Sequence, residues 1–199
     1  DPVGDFEFVT VAVEAKNVAV AHPSLPVKNV TELAAYARQN PGKIPFGSAG
    51  TGTSQHLSGE LVKMVAGIDM VHVPYRGAQA AYQDLMAGRI DLFFDSTATA
   101  KALVEGKSVH ALAVSSRKRL PAMPDVPTLH DTGVIKFSME SWSGIFLPAK
   151  TPEAIVVRLR AEMARMMADP SMQQRIRGIG QEPVQLSGEE TERFVKAEV

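Results

Sequence analysis

No cysteine occurs in the 199 residues of this chain, which removes disulfide frameworks, thiolate metal sites and cysteine nucleophiles together. A cysteine-free composition suits an oxidising compartment without requiring one. A surplus of either charge is also missing. Against 22 acidic residues stand 21 basic ones, a formal net charge of −1, so no global field selects nucleic acid or an anionic membrane. Charge selectivity must therefore be local. Polar residues break every apolar run well before the ~20 positions of a membrane-spanning helix, and Asp1 opens no signal-peptide pattern. The histidines, at 22, 56, 72, 110 and 130, form no i,i+4 pair and meet no carboxylate in a metal motif, so no metal site is expected. No serine stands in a G-x-S-x-G frame and no Ser, His and Asp grouping is indicated by spacing, which leaves no candidate catalytic residue. What remains, 45% hydrophobic and 22% charged, is enough to bury a proper core in one large domain or two small lobes.

Glycine is present where it matters most, in GSAGTGTSQH from Gly47 to His56. Gly47 and Gly52 have the separation of a phosphate-binding loop, but Thr53 stands where that loop needs lysine. Gln55 stands where the dinucleotide fingerprint needs a third glycine. A hydroxyl-rich, glycine-rich entry to a helix suits one small anion better than a polyphosphate, and no cofactor is expected.

Around it, apolar runs alternate with helical patterns. Val18–Ala21, Ile44–Gly47, Met70–Val73, Ile90–Phe94 and Val109–Val114 read as strands. Asn29 with Glu32 makes a capping box for a helix with Leu33, Tyr36 and Ala37 on one face. The next helix carries Leu57, Leu61, Met64 and Val65 as its apolar stripe. Further helices end at Gly88 and Gly106. This alternation predicts an α/β fold with a parallel sheet covered on both faces. Beyond residue 115 the prolines at 121, 124 and 127 mark a long connection. A helix follows from Thr151-Pro152 with Ile155, Leu159, Met163 and Met167 aligned, then a short helix from Ser171, an extended stretch from Glu182 to Gln185, and a last helix capped by Ser187 and Glu190.

Three strands run straight into small, polar loops that open helices: Ser48 to Ser54, Pro74 to Gly77, and Asp95 to Thr97. In a parallel sheet such loops gather beyond the carboxyl ends of neighbouring strands, and the helix N-termini there favour an anionic group. Each element also has a plain structural reading. Asp95 is first a helix cap, Arg76 a solvated side chain, His56 and His72 packing residues, Trp142 with Phe146 core, and residues 117–119 a basic surface.

Three longer segments decide the family resemblance: VAVAHPSLPVKNVTELAAYARQNPGK, FGSAGTGTSQHLSGELVKMVAGIDMVHVPYRGAQAAYQDLMAGRIDLFFDS and ALAVSSRKRLPAMPDVPTL. With SWSGIFLPAKTPEAIVVRLRAEM they cover nearly the whole chain, which resembles the Bug family, the extracytoplasmic solute receptors of tripartite tricarboxylate transporters. The resemblance implies a two-lobed, periplasmic-binding-protein-like fold that closes on a small organic acid, a mono-, di- or tricarboxylate or acidic amino acid, and delivers it to membrane permease subunits. It implies no enzyme activity, and a periplasmic or otherwise extracytoplasmic bacterial location. Residues 18–115 would form the inserted lobe; residues 1–17 and 116–199 would form part of the first lobe, lacking its N-terminal segment, with self-association as one way to cover its exposed faces. The implied ligand site is Ser48, Ala49, Gly50, Thr51, Gly52, Thr53 and Ser54, with Tyr75, Gly77 and Ala78 and with Asp95, Ser96 and Thr97. Two other classes stay open: an enzyme acting on a phosphorylated or acyl substrate at the glycine-rich loop, with His56 as its base, and a receptor-derived sensory or interaction domain.

Overall fold

The computed structural model describes residues 1–134, 136–179 and 181–199, with Ala98 described through its backbone alone. The chain divides into two compact units, Asp1–Ala15 with Ser141–Val199, and Lys16–Glu140. The expected lobe, 18–115, thus lies inside a larger unit. Residues 116–140 stay with it because Val114 N–H donates to Pro127 O (2.8 Å), Leu129 N–H to Val114 O (2.9 Å) and Met139 N–H to Ser115 O (3.0 Å).

In the Lys16–Glu140 unit the elements are the second part of β1 (Phe6–Ala21), α1 (Val30–Gln39), β2 (Pro45–Ser48), α2 (Ser54–Ala66), β3 (Val71–Pro74), α3 (Ala78–Met86), β4 (Leu92–Ser96), α4 (Thr97–Glu105) and β5 (His110–Val114). The sheet order is β3-β2-β4-β1-β5. β2 pairs in parallel with β3 and β4, whereas β1 runs antiparallel to β4 and β5, so the sheet is mixed where alternation predicts parallel strands throughout. A four-residue apolar run such as Val18–Ala21 carries no direction, and β1 is in fact 16 residues long. Strand parity sorts the core onto two faces. Leu92 and Phe94 of β4 pack with Leu33 and Ala37 of α1 and Val62 of α2. Phe93 between them packs with Ala81 and Leu85 of α3 and Ala100 of α4.

The helix start signals are realised locally. Asn29 Oδ1 accepts from Glu32 N–H (2.9 Å), and the Glu32 carboxylate reaches one residue further back, to Lys28 N–H (2.8 Å). The expected stripe of α2 is overturned: Leu57, Met64 and Val65 are 51%, 73% and 41% exposed, and the helix buries Ser58, Gly59, Val62 and Ala66 instead. The cause is closeness. A Cβ added at Gly59 would meet the Phe46 ring at 2.1 Å, so α2 docks on the sheet through its smallest side chains.

In the other unit the Phe6–Ala15 part of β1 pairs with β6 (Glu140–Pro148) and, antiparallel, with β7 (Gln181–Pro183). α5 (Glu153–Ala168) buries Val156 and Met167, while Ile155, expected on its core stripe, is exposed. α6 (Pro170–Gly178) follows, and α7 (Gly188–Glu198) opens on the expected Ser187–Glu190 capping box. Trp142 is half-buried rather than core: its ring stands edge-on to Phe194 at 5.4 Å and its Nε1–H donates to Glu198 Oε2 (3.4 Å).

Gly59→Ala should destabilise the chain by about 1–3 kcal/mol, because overpacking against a buried ring outweighs the helix propensity gained. Gly178→Ala, whose Cβ would meet nothing within 4 Å, is the control and should be neutral or stabilising. Denaturant midpoints check the pair; equal effects would contradict close docking at Gly59.

Candidate functional site

Since β3, β2 and β4 are adjacent and parallel, their carboxyl ends share one edge of the sheet. Ser48 stands opposite Pro74 and Gly47 opposite Phe93. The three following segments therefore leave side by side. The first two are bonded directly: Tyr75 N–H donates to Ser48 O (3.0 Å) and Gly77 N–H to Ala49 O (3.2 Å). The third is tied in through β1. Thr97 Oγ1 donates to Lys16 O (2.9 Å), Ser96 pairs with Asn17, and Asn17 Nδ2 donates to Ser58 Oγ of α2 (3.4 Å).

Three helices begin at this edge, with Thr53, Gly77 and Ser96 as N-caps. None receives a side-chain cap, and none has an acidic residue in its first turn. By contrast, side chains of Asn29, Asp169 and Ser187 cap α1, α6 and α7, and α5 opens on Glu153. Among the described residues, the helices with neither cap nor acid are the three at the edge. In α2 the first intrahelical bond runs from Leu57 N–H to Thr53 O (3.0 Å), so the N–H groups of Ser54, Gln55 and His56 precede it at the positive end of the dipole. The Thr53 hydroxyl does not cap them; it donates back to Gly50 O (2.7 Å). Positive φ at Gly50 (+139°) and Gly52 (+85°) shapes the loop, a backbone that glycine alone adopts without strain.

Two histidines belong to this loop. The His72 ring faces Phe46 across the β2–β3 pair, and its Nε2 lies 2.7 Å from Ser48 Oγ, which also accepts from Gly50 N–H (3.1 Å). His56 Nδ1 accepts from Gly52 N–H (3.1 Å), and the two imidazoles stack at 4.0 Å. Burial, and then the neighbouring His56, push His72 below the ordinary imidazole range. Both are satisfied side chains, as their plain reading has it, but the loop itself satisfies them. The missed signal is register: pairing Phe46 with His72 puts His72 on the face that Ser48, two residues on, also uses.

The other sequence candidates divide. Ala49, Gly50, Gly77 and Ala78 sit on the edge through backbone. The Tyr75 side chain turns to α3, where its hydroxyl donates to Asp84 Oδ2 (2.7 Å) beside Arg89; burial and that bond push the phenol up to about 12. What Tyr75 brings to the edge is main chain. Asp95 is 4% exposed, its Oδ2 has no partner among the described residues, and burial raises its carboxyl to about 7. Arg119, within the basic run, pairs with Asp131. Arg117, His130, Lys136, Phe137 and Ser138 line a separate cavity of about 380 Å³. No cluster of three or more metal-ligating side chains occurs among the described residues.

The model for the tripartite tricarboxylate transporter family receptor matches residues 1–199. The chain belongs to that family. It is 38% identical over 177 residues to the UPF0065 protein in the tcbD–tcbE intergenic region of Pseudomonas sp. (strain P51), a match over 88% of this chain and 53% of that one. It superposes on Rpa4515 of R. palustris with adipate at TM-score 0.92 and 35% identity, covering 100% of this chain and 66% of the other. On MatC of Rhodopseudomonas palustris with bound malate the TM-score is 0.87 at 28% identity, over 97% and 67%. This receptor-family chain spans about half the length of the curated relatives it matches.

Burial of Asp95 gives the stability of this chain a pH dependence. With a carboxyl raised from 3.8 to about 7, the folded state holds the proton more tightly than the unfolded state. The stabilisation is therefore complete below about pH 4 and falls as pH rises to about 7. Asp95→Asn should melt at least about 2 °C above the parent at about pH 8 and show no such gain near pH 4. Parallel melting curves across that range would contradict the assignment.

Proposed function

We propose that this chain is the binding part of an extracytoplasmic receptor that seats a carboxylate of a small organic acid at the Ser48–Ser54, Tyr75–Ala78 and Asp95–Thr97 edge, for delivery to a tripartite-type membrane transporter. The observation that carries the reading is the trio of helix N-termini at one sheet edge with no side-chain cap and no acidic residue in the first turn; Asp95, just before the third, is buried and its carboxyl is raised to about 7. Each charge-assisted N–H or hydroxyl contact contributes about 1.5–3 kcal/mol when shielded from water. Two or three of them approach the roughly 8 kcal/mol of a micromolar complex. Adipate and malate, the ligands of two structural neighbours, differ in length and in hydroxylation but share carboxylates, the one feature this edge is built to read.

The extracytoplasmic location follows the family's receptor role, and no described helix is long and apolar enough to cross a membrane. An enzymatic reading finds little support. Its one nearby base, His56, already uses Nδ1 for Gly52 N–H, and the neighbouring His72 uses Nε2 for Ser48.

Gln55→Glu tests the site with opposite signs. A carboxylate in the first turn of α2 should leave stability unchanged or raise it by about 0.3–1 kcal/mol. It should also weaken adipate or malate binding, read by calorimetry, about tenfold or more by occupying the same N–H groups. Unaltered affinity in a folded Gln55→Glu protein would move the acid elsewhere.

A further inference from the structure

The glycine-rich loop is fastened at its start and near its tip by one stacked pair of rings. Ser48, at its start, meets His72 Nε2 at 2.7 Å, and Gly52, near its tip, donates its N–H to His56 Nδ1 at 3.1 Å. The rings lie 4.0 Å apart and 30° from parallel. Thr53 Oγ1 and Gly77 N–H hold Gly50 O and Ala49 O, while the Gly52 N–H goes to His56, and the space beside the Gly52 Cα is open.

We propose that His56 is the positioning residue of the carboxylate loop: as a neutral imidazole stacked on His72 it takes the Gly52 N–H on Nδ1, and its protonation releases the tip and with it the bound acid. The proton balance is simple. Nδ1 accepts a backbone N–H and so carries its lone pair, which leaves the ring proton on Nε2. A proton added at Nδ1 sets N–H against N–H, and the Gly52 amide turns away. Three neighbours bear on that step. His72 of β3 is itself disfavoured as a cation by burial and by His56. Ser48 of β2 is already bonded to Gly50 and His72. Glu60 of α2, whose charge acts on His72, is held by Lys63 at 2.9 Å. The loop thus has an acid-release direction, opposite to what plain attraction between an imidazolium and a carboxylate would give. Its effect on affinity rests on the carboxylate reading above; the clamp itself does not.

The test follows the Gly52 amide of the full chain by nitrogen-15 NMR without ligand, from about pH 8 to about pH 5. The amide should shift along a titration curve and lose protection from exchange as pH falls. In His56→Gln, whose side-chain oxygen remains an acceptor at every pH, it should stay nearly flat. Asp95, at the same edge, also titrates in this window. Calorimetry with adipate and malate is therefore run in an Asp95→Asn background, where affinity should fall about tenfold or more from high to low pH while His56 is present. In that background His56→Gln should bind more weakly at high pH and with little pH dependence. A Gly52 amide that does not titrate, or an affinity that rises as pH falls, overturns the proposal. If Gly52 titrates as stated while neither acid binds at any pH, the clamp is supported and the carboxylate reading falls.

Discussion

Parallel pairing of β2 with both β3 and β4 is the constraint on which the rest depends. Parallel neighbours place their carboxyl ends at one edge, and the next element after each of these short strands is a helix. Without that pairing, the three segments after Ser48, Pro74 and Ser96 would be unrelated turns. With it, Tyr75 and Gly77 donate straight into the first loop, and three dipoles end together.

The cost is borne locally. An N-cap contributes about 1 kcal/mol to a helix, and the chain uses side-chain caps on α1, α6 and α7 while omitting them on α2, α3 and α4. The omission leaves polar groups in want of a partner. Close docking compensates in α2, where Gly59 lets the helix settle on Phe46 and so fixes the N-terminal turn relative to the sheet. Histidine completes the arrangement by holding the loop from behind, its nitrogens spent on Ser48 and Gly52.

Much of this was legible because the signals are local. Strand, loop and helix alternate within short windows, and Asn29 and Ser187 cap the helices their spacing indicates. What was not legible depends on partners far along the chain. The direction of β1 is set by where it enters the sheet, not by Val18–Ala21. The inward face of α2 is set by Phe46, so a stripe of larger residues lost to Gly59 and Ser58. Tyr75, in a promising loop, turns to Asp84 nine positions later. The histidine pair combines a strand residue and a helix residue that no motif joins.

Amide chemical-shift mapping of the full chain during titration with malate tests the central claim most directly. The account predicts that the N–H groups of Ser54, Gln55, His56, Ala78 and Thr97 shift together along one saturating curve. Silence at those amides, with shifts instead around Arg117, His130 and Lys136, would contradict it.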